Sequence, residues 1–151
     1  MRIVVMSDSH GRADRVKQVI EQQPQAELFI FLGDGLRDFR QAMRGVPKEG
    51  WCVCGNCDFV SDVEYNLISY VRDVKFFCTH GHQWGVKAGL DELATAGAIM
   101  SGIYVGDRCS PVSSSAALVC ALTNTNIYAN MRRMWTTSIS MTGTHSTTGN
   151  R

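Results

Sequence analysis

Four short apolar runs each end in a cluster of polar residues, and this repeated arrangement constrains the fold more than any other feature of the chain. Ile3-Val4-Val5-Met6 leads into Asp8-Ser9-His10, and Leu28 to Leu32 leads into Gly33-Asp34. Trp51-Cys52-Val53-Cys54 precedes Gly55-Asn56-Cys57-Asp58, and Lys75-Phe76-Phe77-Cys78 precedes Thr79-His80-Gly81-His82. Runs of this length and content suit buried parallel strands. Arg12 to Gln23 carries Ala13, Val16, Val19 and Ile20 on one helical face, and Pro24 ends it. Leu36 to Met43 predicts a short second helix, Glu64 to Val71 a strand or hairpin arm, and Val86 to Ala98 a further helix. Alternation of this kind predicts an α/β sheet, where ligands bind beyond the carboxyl ends of the strands. All four clusters fall at such ends.

Each cluster alone has an ordinary explanation. Asp-x-His can cap a helix, Gly-Asp-Gly favours a turn, and a histidine pair can sit in a surface loop. Four of them in this order point instead to one converging site. Aspartate, asparagine and imidazole together offer mixed oxygen and nitrogen ligands, which suit Mn, Fe, Ni or Zn better than Ca or Mg. Two such ions about 3.5–4 Å apart would clamp a phosphate and activate a hydroxide for in-line displacement. Glycines beside the ligands (Gly11, Gly33, Gly35, Gly55, Gly81) permit tight turns and close backbone approach to an anion.

The series Asp8-x-His10, Gly33-Asp34, Gly55-Asn56-Cys57-Asp58 and Thr79-His80-Gly81-His82 resembles the calcineurin-like metallophosphoesterase superfamily. Within it the chain is most similar to small single-domain bacterial and archaeal phosphodiesterases, in which Gly-Asn-Cys-Asp replaces Gly-Asn-His-Asp/Glu. Ser7 to Gly11 and Trp84-Gly85-Val86-Lys87 match that branch. The resemblance covers about residues 1–97 and implies an α/β/β/α sandwich with a dinuclear site. It implies that Asp8 and His10 hold one divalent ion (Mn, Ni, Fe or Zn), that Asn56 and His80 hold the second, and that Asp34 bridges them. A small phosphoester would be the substrate and a metal-bridging hydroxide the nucleophile. Asn56, Cys57 and His82 are the candidate catalytic side chains. Cys57 stands where the family's proton-donating histidine stands, a role a thiol fills poorly, and His82 would contact the substrate phosphate.

The remainder of the chain departs from this pattern. The family completes both metals with Gly-His-x-His about 25 residues past the first histidine of the Thr-His-Gly-His cluster. Ser101-Gly102-Ile103-Tyr104-Val105-Gly106-Asp107 stands there instead, and His145 is the one histidine left. Residues 1–92 hold 13 acidic residues and five Ser/Thr, whereas residues 93–151 hold one acidic residue and 17 Ser/Thr. The expected organisation is therefore a phosphoesterase-like domain over 1–97 and an atypical tail over 98–151 that completes or replaces the second sheet. A change of reading frame or a recombination near Gly97–Ser101 would account for the break. In the tail, Ala116 to Leu122 is apolar, Ile127 to Trp135 has helical character, and Thr136-Thr137-Ser138 reads as polar punctuation. Too few alternating apolar segments remain for a clean second sheet. An apolar face of the first sheet would then stay open, and a homo-oligomer could cover it.

Composition narrows the partners. A net charge of +1 supplies no electrostatic reason to bind nucleic acid or an anionic membrane. No uninterrupted apolar stretch is long enough for a transmembrane helix, and the N-terminus lacks a signal-peptide core, so a cytoplasmic protein is expected. Cys52-x-Cys54-x-x-Cys57 could be a zinc or iron–sulfur cluster site, but Cys52 and Cys54 share a strand face where cysteine packs as a small hydrophobe. Arg132-Arg133 beside Trp135 is too sparse for a basic patch, and Trp84 suits either a cleft wall or sheet packing. Two functional classes follow: a metal-dependent phosphoesterase impaired by the missing Gly-His-x-His, or a catalytically degraded, non-enzymatic binding or scaffold domain of the same lineage.

Overall fold

The computed structural model describes residues 1–59, 62–72, 74–86, 88–89, 91–100, 117–120 and 135–140. In chain order these form β1 (Arg2–Ser7), α1 (Ala13–Gln22), β2 (Leu28–Phe31), α2 (Leu36–Ala42), β3 (Glu49–Cys52), β4 (Asn66–Val71) and β5 (Val74–Thr79). A single 3₁₀ turn (His82–Trp84) follows, then α3 (Asp91–Met100), β6 (Ala117–Cys120) and β7 (Trp135–Ser140). One sheet has the order β3-β2-β1-β7 and the other β4-β5-β6. β1, β2 and β3 run parallel, so their carboxyl ends share one edge.

Side-chain alternation along the strands builds the layers. Val4, Met6, Phe29 and Phe31 face α1 and α2, meeting Val16, Ile20, Leu36 and Phe39. Ile3, Val5, Leu28 and Ile30 face the other way, onto Val71, Phe76 and Cys78 of the second sheet. Phe77, between Phe76 and Cys78, points outward and packs with Val86, Leu93 and Ala96. The result is an α/β/β/α sandwich, as the resemblance implies.

Several expectations change. The first sheet does not present an open apolar face: β4 and β5, antiparallel from Asn66↔Thr79 to Val71↔Val74, supply the cover. Tail residues enter both sheets. β6 pairs parallel with β5, and β7 pairs antiparallel along the whole of β1, from Arg2↔Ser140 to Ser7↔Trp135. Thr136, Thr137 and Ser138 are thus strand residues, and the Ile127–Trp135 helix, apart from Trp135, lies outside the described residues. β3 ends at Cys52, yet Val53 and Cys54 stay buried beyond it because they pack on opposite faces of the first sheet. The third helix begins at Asp91, not Val86. Gly85 ends the 3₁₀ turn in left-handed conformation, and Val86 faces the outer core instead. No helix among the described residues is long and apolar enough to cross a membrane.

Phe76 is fully buried between the sheets. Phe76→Ala should lower unfolding stability by about 3–5 kcal/mol, measured by urea denaturation. A loss below about 1 kcal/mol would mean that the two sheets do not share this core.

Candidate metal centre

The three parallel strands and β5 each release a loop at the same edge, and the polar clusters occupy those loops. Loop-to-loop main-chain bonds set their spacing. Asp8 N–H donates to Gly33 O (2.9 Å) and His10 N–H to Asp34 O (3.1 Å). The β2 and β3 loops touch backbone to backbone. A Cβ on Gly33, whose φ is +97°, would lie 2.5 Å from Gly55 N, and a Cβ on Gly55 would overlap the Asp34 carboxylate. Asp8, His10 and Asp34 themselves hold φ values of 59°, 43° and 60°. Left-handed backbone is unusual for residues with a Cβ, and such residues cluster where function demands a fixed geometry.

Two further carboxylates brace these loops. Asp58 accepts backbone N–H groups from Asp34 (2.7 Å), Gly35 (2.9 Å), Leu36 (2.9 Å) and Gly55 (3.0 Å). Asp38, buried in the first turn of α2, accepts from Ser9 Oγ (2.6 Å) and Gly11 N–H (2.8 Å). Sequence reasoning quoted Asp58 within a motif without a role and missed Asp38. An acidic residue in a first helical turn normally reads as a dipole partner, so no local signal marked Asp38.

Each expected site residue can now be located. Asp8 and Asp34 are buried, His80 is nearly so, and His10, Asn56 and Cys57 are exposed at the rim. One ligand atom each from Asp8, Asp34 and His80 lies within 4.8 Å of the other two, and the same holds for His10, Asp34 and Cys57. His10 Nε2 is 3.6 Å from Asp8 Oδ1 and 3.9 Å from Asp34 Oδ2, separations too long for hydrogen bonds. His82 sits beside this group, its ring 5.3 Å from that of His80 and 5.5 Å from that of Tyr65. Its Nδ1 is buried and, among the described residues, unpartnered. Burial and the neighbouring His80 hold its pKa below the usual histidine value. Trp84 belongs to the packing instead, edge-on to Phe77 with its Nε1–H donating to Asn66 Oδ1. Cys54 lies in the core beneath α2, apart from Cys57, which argues against a three-cysteine cluster.

The donor set fits a divalent cation. A carbonyl can only accept, so His80 Nδ1–H donates to Leu32 O at 2.7 Å. In the neutral ring the Nε2 lone pair then faces the site, the second-sphere arrangement that orients metal-binding imidazoles. Nε2 lies 3.2 Å from Asn56 Oδ1 and 3.6 Å from Asp34 Oδ2. The Asn56 amide is turned this way because its Nδ2 donates to Cys57 Sγ at 3.1 Å. In that tautomer the acceptor atoms of Asn56 and Asp34 meet the His80 lone pair, as ligands of one cation would. Burial pushes the Asp8 carboxyl above its usual value, opposed by the Ser7 hydroxyl that donates to it and by His80. Burial, then Asp34, likewise raises the Cys57 thiol.

Residues 1–105 match the family model for the calcineurin-like phosphoesterase superfamily domain. The chain is 30% identical over 92 residues to a probable metallophosphoesterase, YsnB, of Bacillus subtilis, covering 60% of this chain and 52% of that protein. A crystal structure of a predicted phosphoesterase from Streptococcus pneumoniae superposes with a TM-score of 0.55 at 27% identity, over 67% of this chain and 56% of that one. The chain thus spans about half the length of the relatives it matches. Stretches of 55 residues are similar to proteins of another kind. One is 40% identical to the malate-2H(+)/Na(+)-lactate antiporter of B. subtilis, and one is 34% identical to the arginine/ornithine antiporter ArcD of Halobacterium salinarum. Each covers 36% of this chain and 12% or 11% of the antiporter.

Two outcomes test the site's construction. Asp58→Ala removes four charge-assisted acceptor contacts and should cost about 3 kcal/mol of stability, with faster hydrogen exchange at amides 34–36; unchanged exchange would refute the bracing role. Asp8, its folded pKa raised, stabilises the metal-free fold below the ordinary carboxyl value, and that contribution is lost as pH rises through the raised value. At pH 7 Asp8→Asn should therefore raise the metal-free Tm, by about 2–4 °C per kcal/mol relieved, and abolish the Tm gain on adding Mn²⁺. A metal-free Tm unchanged by Asp8→Asn would mean that the carboxylate is not desolvated.

Proposed function

The chain belongs to the calcineurin-like phosphoesterase superfamily, and on that premise we propose that it is a metal-dependent phosphoester hydrolase of the phosphodiesterase type with impaired turnover. The observation that carries this reading is the approach of Asn56 Oδ1 (3.2 Å) and Asp34 Oδ2 (3.6 Å) to His80 Nε2, with Asp8 in the same ligand group. Asp8, His10, Asp34, Asn56 and His80 would hold two divalent ions. Such ions supply Lewis acidity toward a phosphoryl oxygen and lower the pKa of water for nucleophilic attack.

The chain's own residues set the geometry of the reaction. Asp34 is held on both sides, through its N–H on Asp58 and its Oδ1 accepting from Cys57 N–H at 2.8 Å. His82, its pKa held below the usual histidine value by burial and by His80, would offer a phosphate oxygen a hydrogen bond more readily than a positive charge. Cys57 stands where the leaving alkoxide would take a proton, and a water fills that role better than a thiol raised by burial. The substrate is a small phosphoester that can reach the exposed rim at His10 and Asn56.

The antiporter similarities favour a second reading, a degraded domain without turnover. The antiporter similarities span 55 residues, and the chain loses acidic residues and gains Ser/Thr from about residue 93 onward. We infer that this segment is antiporter-like sequence joined to a phosphoesterase domain, replacing the Gly-His-x-His that would complete both metals. Pairing of β6 and β7 does not oppose this, because main-chain groups of any sequence can fill an open sheet edge. Recombination then explains the break better than a shifted frame, since shifted codons would not reproduce another family's sequence.

Two measurements decide. Hydrolysis of bis-p-nitrophenyl phosphate by the full chain should be slow, Mn²⁺-dependent, and reduced more than about 100-fold by Asp34→Asn, since losing a group that only orients a metal-binding side chain already costs roughly 10–100-fold. Bound metal without turnover would select the degraded domain. Translating the DNA beyond codon 97 in the other two frames should yield no Gly-His-x-His; finding one would refute the recombined origin.

A further inference from the structure

We propose that Cys57 supplies a thiolate ligand to a metal ion held with His10 and Asp34, making that half of the site a nitrogen, oxygen and sulfur centre suited to zinc-like ions. The inference rests on the metal-site reading above and goes beyond it, since the resemblance gives this position a proton-transfer role. The ligand atoms of His10, Asp34 and Cys57 lie within 4.8 Å of one another, a spacing that one ion can span. Three protein ligands leave a fourth, open position of the kind catalytic zinc sites keep.

The loop holds the sulfur toward the site by two independent contacts. Cys57 N–H donates to Asp34 Oδ1 at 2.8 Å, which ties the cysteine to the carboxylate shared by both ligand groups. Asn56 Nδ2 donates to Sγ at 3.1 Å, so the neighbouring amide already offers the sulfur the hydrogen bond that stabilises a ligating thiolate. Asp34 is common to both ligand groups, so a thiolate at Cys57 would soften the ion held through His10 while the His80 side keeps oxygen and nitrogen ligands. Thiolate ligation selects Zn over Mn, while carboxylate and imidazole accept either. Binding breaks the Cys57 S–H bond and forms a sulfur–metal bond. The proton passes to solvent, and no electrons are exchanged.

Cobalt substitution tests this in the full chain under reducing conditions. Co²⁺ titration should produce visible d–d bands together with a near-ultraviolet sulfur-to-cobalt charge-transfer band. In Cys57→Ala and Cys57→Ser the charge-transfer band should vanish while d–d bands from the Asp8, Asp34 and His80 group persist. Zn²⁺ affinity should fall about 10-fold or more in either variant, with Mn²⁺ affinity changed less than about 3-fold. Cys57 is exposed, so both variants should keep the wild-type metal-free Tm. Bound cobalt without a charge-transfer band, or a band retained in Cys57→Ala, overturns the proposal and leaves the metal-site reading intact. Absence of every cobalt band in the unsubstituted chain overturns both.

Discussion

The Asp58 carboxylate, receiving four backbone N–H groups from two loops, is the interaction on which the arrangement of the site depends. Three of those donors follow β2 and one follows β3, so a single side chain sets the distance between neighbouring strand ends. With that distance fixed, Gly33 and Gly55 can touch, and Asp34 is held with its carboxylate inward. Asp38 does the corresponding work across the β1 loop through Ser9 and Gly11. Asp8 and Asp34 also accept from protein, from the Ser7 hydroxyl and the Cys57 N–H, yet each still places a carboxylate oxygen in the group with His80. Four aspartates close together thus divide between holding the loops and facing the site.

Much of the head of the chain was legible because its strands alternate cleanly. Ile3 and Val5 against Val4 and Met6 announce two buried faces, and Phe76, Phe77 and Cys78 do the same for the second sheet. The convergence of Asp8, His10, Asp34, Asn56 and His80 could be anticipated from their common place at strand ends. Illegible residues act through long-range geometry. Nothing local to Asp38 says that its partner is Ser9, 29 positions earlier. Helix boundaries near 86–91 were misjudged because Val86 belongs to a hydrophobic cluster that a helix and a loop share.

The strand at Trp135–Ser140 is hard to read for a different reason. Thr136, Thr137 and Ser138 lack the apolar alternation of a strand that covers a core, yet β7 follows β1 for six residues. Strand pairing there is a main-chain matter, and propensity is a weak guide when an unpaired edge is available. The second sheet likewise draws β4 and β5 from the head, so the cover over the first sheet does not depend on the tail's composition. That separation lets a domain keep its core while losing a segment that its chemistry needs.

The left-handed backbone at Asp8, His10 and Asp34 bears on how such a site persists. Glycine at any of the three would relieve conformational strain, so these positions lie where stability and chemistry pull in opposite directions. A laboratory selection for heat resistance alone would tend to replace these three residues first and spare the sandwich. The same bias acts on any lineage freed from catalytic demand. Their identity is therefore a more sensitive reporter of the demands on the site than the integrity of the fold.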